Sequence, residues 1–319
     1  MNPPFYKPLK HSMSRRARWH DYRAPSVYMI TLVKDSSTPD LATLRHPGGD
    51  RYITEFTEMG RIVSRFVDSM ERYHPALKTW KHVIMPDHVH FMLQAKAYLP
   101  EVLGHYIKMM KSDCTRSWRQ IAGEDLCDES LSFFIPDFND RIIMKKGQTE
   151  RVKRYIADNP RRLWIKFANP DLFMRRHRIV IDGREFEAQG NIFLLDDFDK
   201  EAVIYSSRIA KEKMYAIKKI WLHTIENGGV LVSSFIHQIE KNVRDYALAN
   251  DGRIILFGEK PFPERYKPSG KMFDLCSEGR LLTIAPLAEL SGFATQRQKY
   301  LYLNQLSRQI AAGSYLLRK

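Results

Sequence analysis

His88-Val89-His90, together with Tyr155 and Asn159, are the residues of this chain whose types and spacing could do chemistry. Side chains alternate across a strand, so His88 and His90 would point to one face and Val89 to the other. Two neutral imidazoles held side by side on a sheet can converge on one divalent metal ion. The same spacing also occurs as a pair of surface or packing histidines, and by itself it leaves both readings open. Tyr155 and Asn159 are four apart on a predicted helix, one turn above each other, with Arg151 one turn earlier. Asn159 precedes Pro160, and that pair predicts the helix end. A phenol and an amide are thereby presented together beside Lys153, Arg154, Arg161 and Arg162. The plainer alternative is an amphipathic surface helix with a stop signal.

The elements that must position these residues are legible in the pattern. Val27 to Val33 is an apolar run that predicts a buried strand, followed by a polar loop through His46-Pro47-Gly48-Gly49. Glu55 to Tyr73 predicts a helix, with Met59, Ile62, Val63, Phe66, Val67 and Met70 at spacings of three and four, stopped by His74-Pro75. Thr79 to Met85 and His88 to Gln94 predict two strands joined at a Pro86-Asp87 turn. Leu99 to Ile121 predicts a long helix, Ser132 to Met144 mixed strand and loop, and Thr149 to Asn159 a short helix ended by Pro160. This order predicts an α+β fold, an antiparallel sheet with helices on one face.

The boundaries expected are a basic N-terminal arm over 1–23 with Arg15, Arg16, Arg18 and Trp19, a first domain over 24–168, a basic linker over 169–190, and an α/β domain over 191–319. In the last, Ile192 to Leu195, Val230 to Phe235, Ile254 to Phe257 and Leu281 to Ile284 are the strand candidates. Gly228-Gly229 precedes its strand instead of following it, so it predicts a turn and no dinucleotide fingerprint. Arg208 to Lys219 predicts a charged helix face, and His105-Tyr106 a helix-surface pair.

At 319 residues and 44% hydrophobic, the chain can bury a sizeable core and favours two domains. Lys and Arg outnumber Asp and Glu by 51 to 37, a net charge of +14 with a pI near 9.6, the balance of a polyanion binder. Cys114, Cys127 and Cys276 form neither a CxxC pair nor an even set, which disfavours a disulfide framework or a thiolate zinc site and suits a reducing cytoplasm. No stretch approaches the roughly 20 apolar residues that span a bilayer, so no membrane partner is expected.

The string Val83-Ile84-Met85-Pro86-Asp87-His88-Val89-His90-Phe91-Met92-Leu93 resembles the HUH strand of the single-tyrosine transposases, in particular the REP-associated tyrosine transposases. Further matches follow in order: Tyr28-Met29-Ile30-Thr31-Leu32, Met59-Gly60-Arg61-Ile62-Val63, Met110-Lys111-Ser112, Phe138-Asn139-Asp140-Arg141-Ile142-Ile143, then Tyr155-Ile156-Ala157-Asp158-Asn159-Pro160 with Trp164 beyond. The resemblance covers roughly 24–166. One departure is Asn139, where related sequences often carry His.

The resemblance implies an HUH fold of the ferredoxin-like or RRM-like kind. It implies that His88 and His90 ligate Mg²⁺ or Mn²⁺, that Tyr155 is the nucleophile, and that Asn159 stands where the family places a third, helix-borne ligand. The implied partner is single-stranded DNA with hairpins, as in repetitive palindromic elements, cut and rejoined through a 5′-phosphotyrosine; a homodimer is compatible with it. Candidate DNA contacts are Lys108, Lys111, Ser112 and Arg116 on the second long helix and Arg141, Arg151, Arg154 and Arg161 around the tyrosine. Two rival readings are a hairpin-binding protein without turnover and a metal phosphoesterase using water. The residue types fit the implied chemistry. A phosphodiester is already anionic, so attack needs a positive ion, and a phenol with pKa near 10 needs help to ionise at neutral pH.

Overall fold

The structure, a computed structural model, describes residues 17, 19–123, 131–145, 147–264 and 266–317. Arg15, Arg16 and Arg18 of the expected basic arm, and Cys127, lie outside the described residues. The chain divides into two compact units, Met1–Trp164 and Ile165–Lys319.

In the first unit the described strands β1 (Ser26–Val33), β4 (Leu77–Ile84), β5 (His88–Ala95) and β6 (Asn139–Ile143) form an antiparallel sheet in the order β4-β5-β1-β6. A separate ribbon pairs β2 (Ala42–Gly48) with β3 (Arg51–Phe56), where the sequence had predicted a polar loop. The ribbon was hidden because most of its side chains stay in water, so no apolar alternation marks it. Gly49-Asp50 is its turn, between the paired Gly48 and Arg51, with φ of +117° at Gly48 and +57° at Gly49.

The helices α1 (Glu58–Tyr73) and α2 (Leu103–Ala122) pack on one face of the sheet, against Tyr28, Ile30, Leu32, Val89, Phe91 and Leu93. Thr57 caps α1 by accepting a bond from Gly60 N–H at 3.1 Å. The α+β class expected from the element order holds, with one refinement: α3 (Gln148–Ala168) lies on the opposite face. Its Val152 and Ile156 bury against Met92, and Val27, Met29, Val83 and Ile143 pack around them.

α3 also corrects the expected end at Asn159, since it runs through Pro160 for two further turns. A proline inside a helix removes one backbone bond and costs about 3 kcal/mol. The turn before it gains a donor, because the Asn159 side-chain amide donates to the Tyr155 carbonyl at 2.7 Å. Beyond it, Arg162 is buried and the helix-forming run to Ala168 restores the bonding.

In the second unit the described strands form a mixed sheet in the order β13-β7-β8-β12-β11-β10-β9. Its parallel half alternates β9 (Lys200–Ala202), α4 (Lys211–Glu226), β10 (Val230–Ser233), α5 (Gln238–Ala249), β11 (Arg253–Phe257), α6 (Lys271–Ser277) and β12 (Leu281–Pro286), the α/β rhythm predicted for this region. Consecutive parallel neighbours with right-handed crossovers put α4, α5 and α6 on one face. Accordingly Met214, Trp221, Ala247 and Leu275 share a core with Leu231 and Ile254. α7 (Gln296–Ala311) covers the other face, where Leu303, Leu306 and Ile310 meet Val230, Val232 and Ile255.

Two expectations fail in this unit. Ile192–Leu195 is a 3₁₀ turn capped by Asn191, not a strand. The stretch 169–190, expected to be a linker, carries a 3₁₀ turn, Pro170–Phe173, and the antiparallel strands β7 (Arg175–Ile181) and β8 (Arg184–Gly190), with β13 (Leu316–Leu317) added at the edge. Its basic character misled because one of those cations is internal to the sheet: Arg175 makes a two-pronged bond at 2.8 and 2.9 Å to the buried Glu187.

Gly60 is where α1 presses on the chain before the ribbon. A Cβ there would lie 1.9 Å from the Leu41 carbonyl oxygen, a backbone atom that cannot swing aside. Gly60→Ala is therefore expected to destabilise the first unit by roughly 1–3 kcal/mol despite alanine's better helix propensity. Chemical denaturation of the full chain checks this, and unchanged stability would show that α1 can shift.

Candidate metal and nucleophile site

β5 carries His88, His90, Met92 and Gln94 on the α3 face and Val89, Phe91 and Leu93 on the α1–α2 face, which are fully buried. The imidazoles stand together as predicted, with ring centroids 4.5 Å apart and planes crossed at 71°. Each ring also has its Nδ1 occupied. Asp87 Oδ1 lies 2.6 Å from His88 Nδ1, and Thr31 Oγ1 lies 2.7 Å from His90 Nδ1. With Nδ1 engaged on both rings, the two Nε2 atoms are left for an ion, the arrangement in which metal-binding histidines are usually held.

α3 lays Tyr155 over this pair. The phenol ring is 5.6 Å from the His90 ring and partly open to solvent, and the Arg162 guanidinium sits 5.6 Å from the phenol's centre. Asn159, one turn on, is buried. Its amide nitrogen is spent on the Tyr155 carbonyl, so its Oδ1 is the atom with lone pairs to offer. Among the described residues, no group of three or more His, Cys, Asp or Glu could hold a metal ion. An ion held by His88 and His90 would need a donor of another type, and an amide oxygen suits Mg²⁺ or Mn²⁺.

The expected DNA contacts do not form one surface. Lys108, Ser112 and Arg116 line a groove of about 680 Å³ between α2 and the segment Ser132 to Phe138, on the sheet face away from the histidines. Lys111, expected to meet phosphate, is a strut at that groove instead. Its ammonium donates to the carbonyls of Ile135, Pro136 and Asp137, and burial pulls its pKa down to about 8 against the opposing pull of Asp137. Arg116 pairs with Asp113 at 3.0 Å. Arg151, Arg154 and Arg161 belong to α3, the first two exposed and Arg161 held to Asp158 at 2.6 Å. Arg141 is exposed on β6, opposite Met29 in register and so on the α3 face.

Sequence reasoning did not single out Thr31 or Asp87. Asp87 could have been found, since it is the neighbour of His88 in a tight turn. Thr31 could not, because only the β1–β5 register, Thr31 opposite His90, brings it there.

Burial and the adjacent His88 lower the His90 pKa from 6.5 to about 3, so its ring is neutral at physiological pH. Because the folded value lies below the unfolded one, the unfolded chain binds the extra proton between them, and stability falls as pH drops from about 6.5 toward 3. In metal-free protein, His90→Leu is expected to remove that part of the pH slope in thermal unfolding. Parallel slopes for the two proteins would show that His90 is not held neutral by the fold.

No family model matches this chain, and no curated protein matches it. Two solved structures are similar to part of it. A REP-associated tyrosine transposase bound to a REP hairpin is 17% identical over 47% of this chain and 74% of its own, with a TM-score of 0.31. A structure described as a putative transposase from Deinococcus radiodurans R1 is 14% identical over 45% of this chain and 95% of its own, with a TM-score of 0.28.

Proposed function

We propose that the first unit is a metal-dependent DNA strand-cutting and strand-joining enzyme in which Tyr155 is the nucleophile. The observation that carries this reading is the pairing of His88 and His90, both with Nδ1 engaged, beneath the ring of Tyr155. The hairpin-bearing single-stranded substrate rests on the sequence resemblance, and the net charge of +14 agrees with a polyanionic partner.

In the proposed step the Tyr155 oxygen attacks a backbone phosphorus. The bond from phosphorus to the 3′ oxygen breaks, and that oxygen leaves as a 3′-OH with the proton the phenol gives up. The 5′ phosphate stays on Tyr155, so the bond's energy is kept for rejoining when a 3′-OH attacks in the reverse sense. His88, His90 and Asn159 would hold Mg²⁺ or Mn²⁺, which supplies positive charge for the phosphate oxygens. Arg162 places a further cation beside the attacking group. Hydrolysis by water would need none of the placement of Tyr155 over His90, and a silent binder would need neither histidine.

Tyr155→Phe is expected to lower cleavage of single-stranded hairpin DNA by about three orders of magnitude or more and to abolish the covalent protein–DNA adduct, while binding is retained. Denaturing gels of end-labelled DNA read both. Cleavage at the wild-type rate would replace the tyrosine with water as nucleophile. Asn159→Ala is expected to raise the metal concentration for half-maximal cleavage about tenfold or more, and Asn159→Asp to leave it low. Equal half-maximal concentrations in wild type and Asn159→Ala would make Asn159 a helix residue only.

A further inference from the structure

We propose that Thr31 and Asp87 are positioning residues that set the tautomers of His90 and His88, so that both Nε2 lone pairs face one ion; the inference rests on the metal reading above. A neutral imidazole carries one proton, and only the ring nitrogen without it can bind a metal. Which nitrogen that is depends on what the other one meets.

For His88 the partner decides the matter alone. An ionised carboxylate only accepts, so Asp87 Oδ1 at 2.6 Å requires the proton on His88 Nδ1. For His90 the partner is a hydroxyl, which could accept the Nδ1 proton or donate its own into Nδ1. The second arrangement would leave the proton on Nε2 and close the ring to metal. A metal ion on Nε2 requires the first. Thr31 is paired with His90 on one side and with Asn139 on the other, so the three lie in one row across β5, β1 and β6 on the face that α3 covers. Directly paired residues in an antiparallel sheet have Cβ atoms about 4.5–5.5 Å apart. Asn139 thus stands beside Thr31 on the neighbouring strand, and the hydrogen bond made by the Thr31 hydroxyl is the one to His90 Nδ1, in which we take its oxygen to be the acceptor.

The two partners are unequal. A carboxylate raises the basicity of the ring it holds, whereas a hydroxyl orients its ring with little added charge. His88, its side chain 20% exposed, takes the charged partner, and His90, buried against the sheet, takes the neutral one. A carboxylate at position 31 would have to be desolvated there, which is costly without a cation.

Thr31→Val tests the role cleanly, since it removes the hydroxyl and keeps a β-branched strand residue of the same size. The probe is Mn²⁺ alone, titrated into the full metal-free chain and followed by the paramagnetic resonance of free Mn²⁺, with ¹⁵N resonances of the histidine rings recorded before metal is added. Expected are an Mn²⁺ dissociation constant about 10–100-fold higher in Thr31→Val, wild-type binding in Thr31→Ser, and appearance of the Nε2-protonated tautomer of His90 in Thr31→Val only. Wild-type Mn²⁺ affinity in Thr31→Val would overturn the positioning role whatever the tautomer, while leaving the metal reading intact. If the wild-type chain bound no Mn²⁺, the metal reading itself would fall and this proposal with it, even with a shifted His90 tautomer.

Discussion

The antiparallel register of β1 and β5 is the constraint on which the candidate site depends. It sets Thr31 opposite His90 and Val33 opposite His88, and it does so because the other face of β5 is fully buried. A slip of one residue would turn His88 and His90 into the α1–α2 core, away from Asp87 and Thr31, and take Val89, Phe91 and Leu93 out of it onto the α3 face. Fully burying each such side chain is worth about 1.5–3 kcal/mol, so the slipped register is far out of reach. Apolar residues with no part in the chemistry therefore hold the imidazoles in place.

α3 supplies what the sheet lacks, and it does so through the same division of labour. Val152 and Ile156 seat the helix on Met92, and Tyr155 is carried over His90 by its helical offset from that seat, with Asn159 one turn on. The proline inside α3 follows Asn159 directly. The side-chain bond from Asn159 to the Tyr155 carbonyl ties the amide to the phenol's own backbone, so the two groups move as one turn. Arg162, buried on the next turn, adds its charge beside the ring without needing a separate element to bring it.

The distribution of charge qualifies what a net charge of +14 means. Lys111 is a strut for three carbonyls, and Arg175 belongs to a bond with buried Glu187. Arg161 and Arg116 each hold an aspartate three residues away. The cations that remain at the surface, such as Lys108, Arg141, Arg151 and Arg154, lie on two faces of the first unit's sheet. Composition suggested a partner class, but it could not say where that partner is met.

By itself the sequence determined what depends on neighbours along the chain. The strand alternation of His88-Val89-His90, the four-residue spacing of Tyr155 and Asn159, the apolar face of α1 and the parallel rhythm of β10, β11 and β12 all follow from local periodicity. It misjudged places where distant residues override a local signal. Pro160 reads as a stop until the bonding and packing around it are known, the basic stretch after 174 reads as a linker until Glu187 is seen to pair with Arg175, and the half-exposed ribbon has no apolar stripe to announce it. Which nitrogen of the His90 ring is engaged within the fold was beyond it altogether. That depends on Thr31, 59 residues from His90, and only strand pairing brings a hydroxyl within 2.7 Å of a ring so far along the chain.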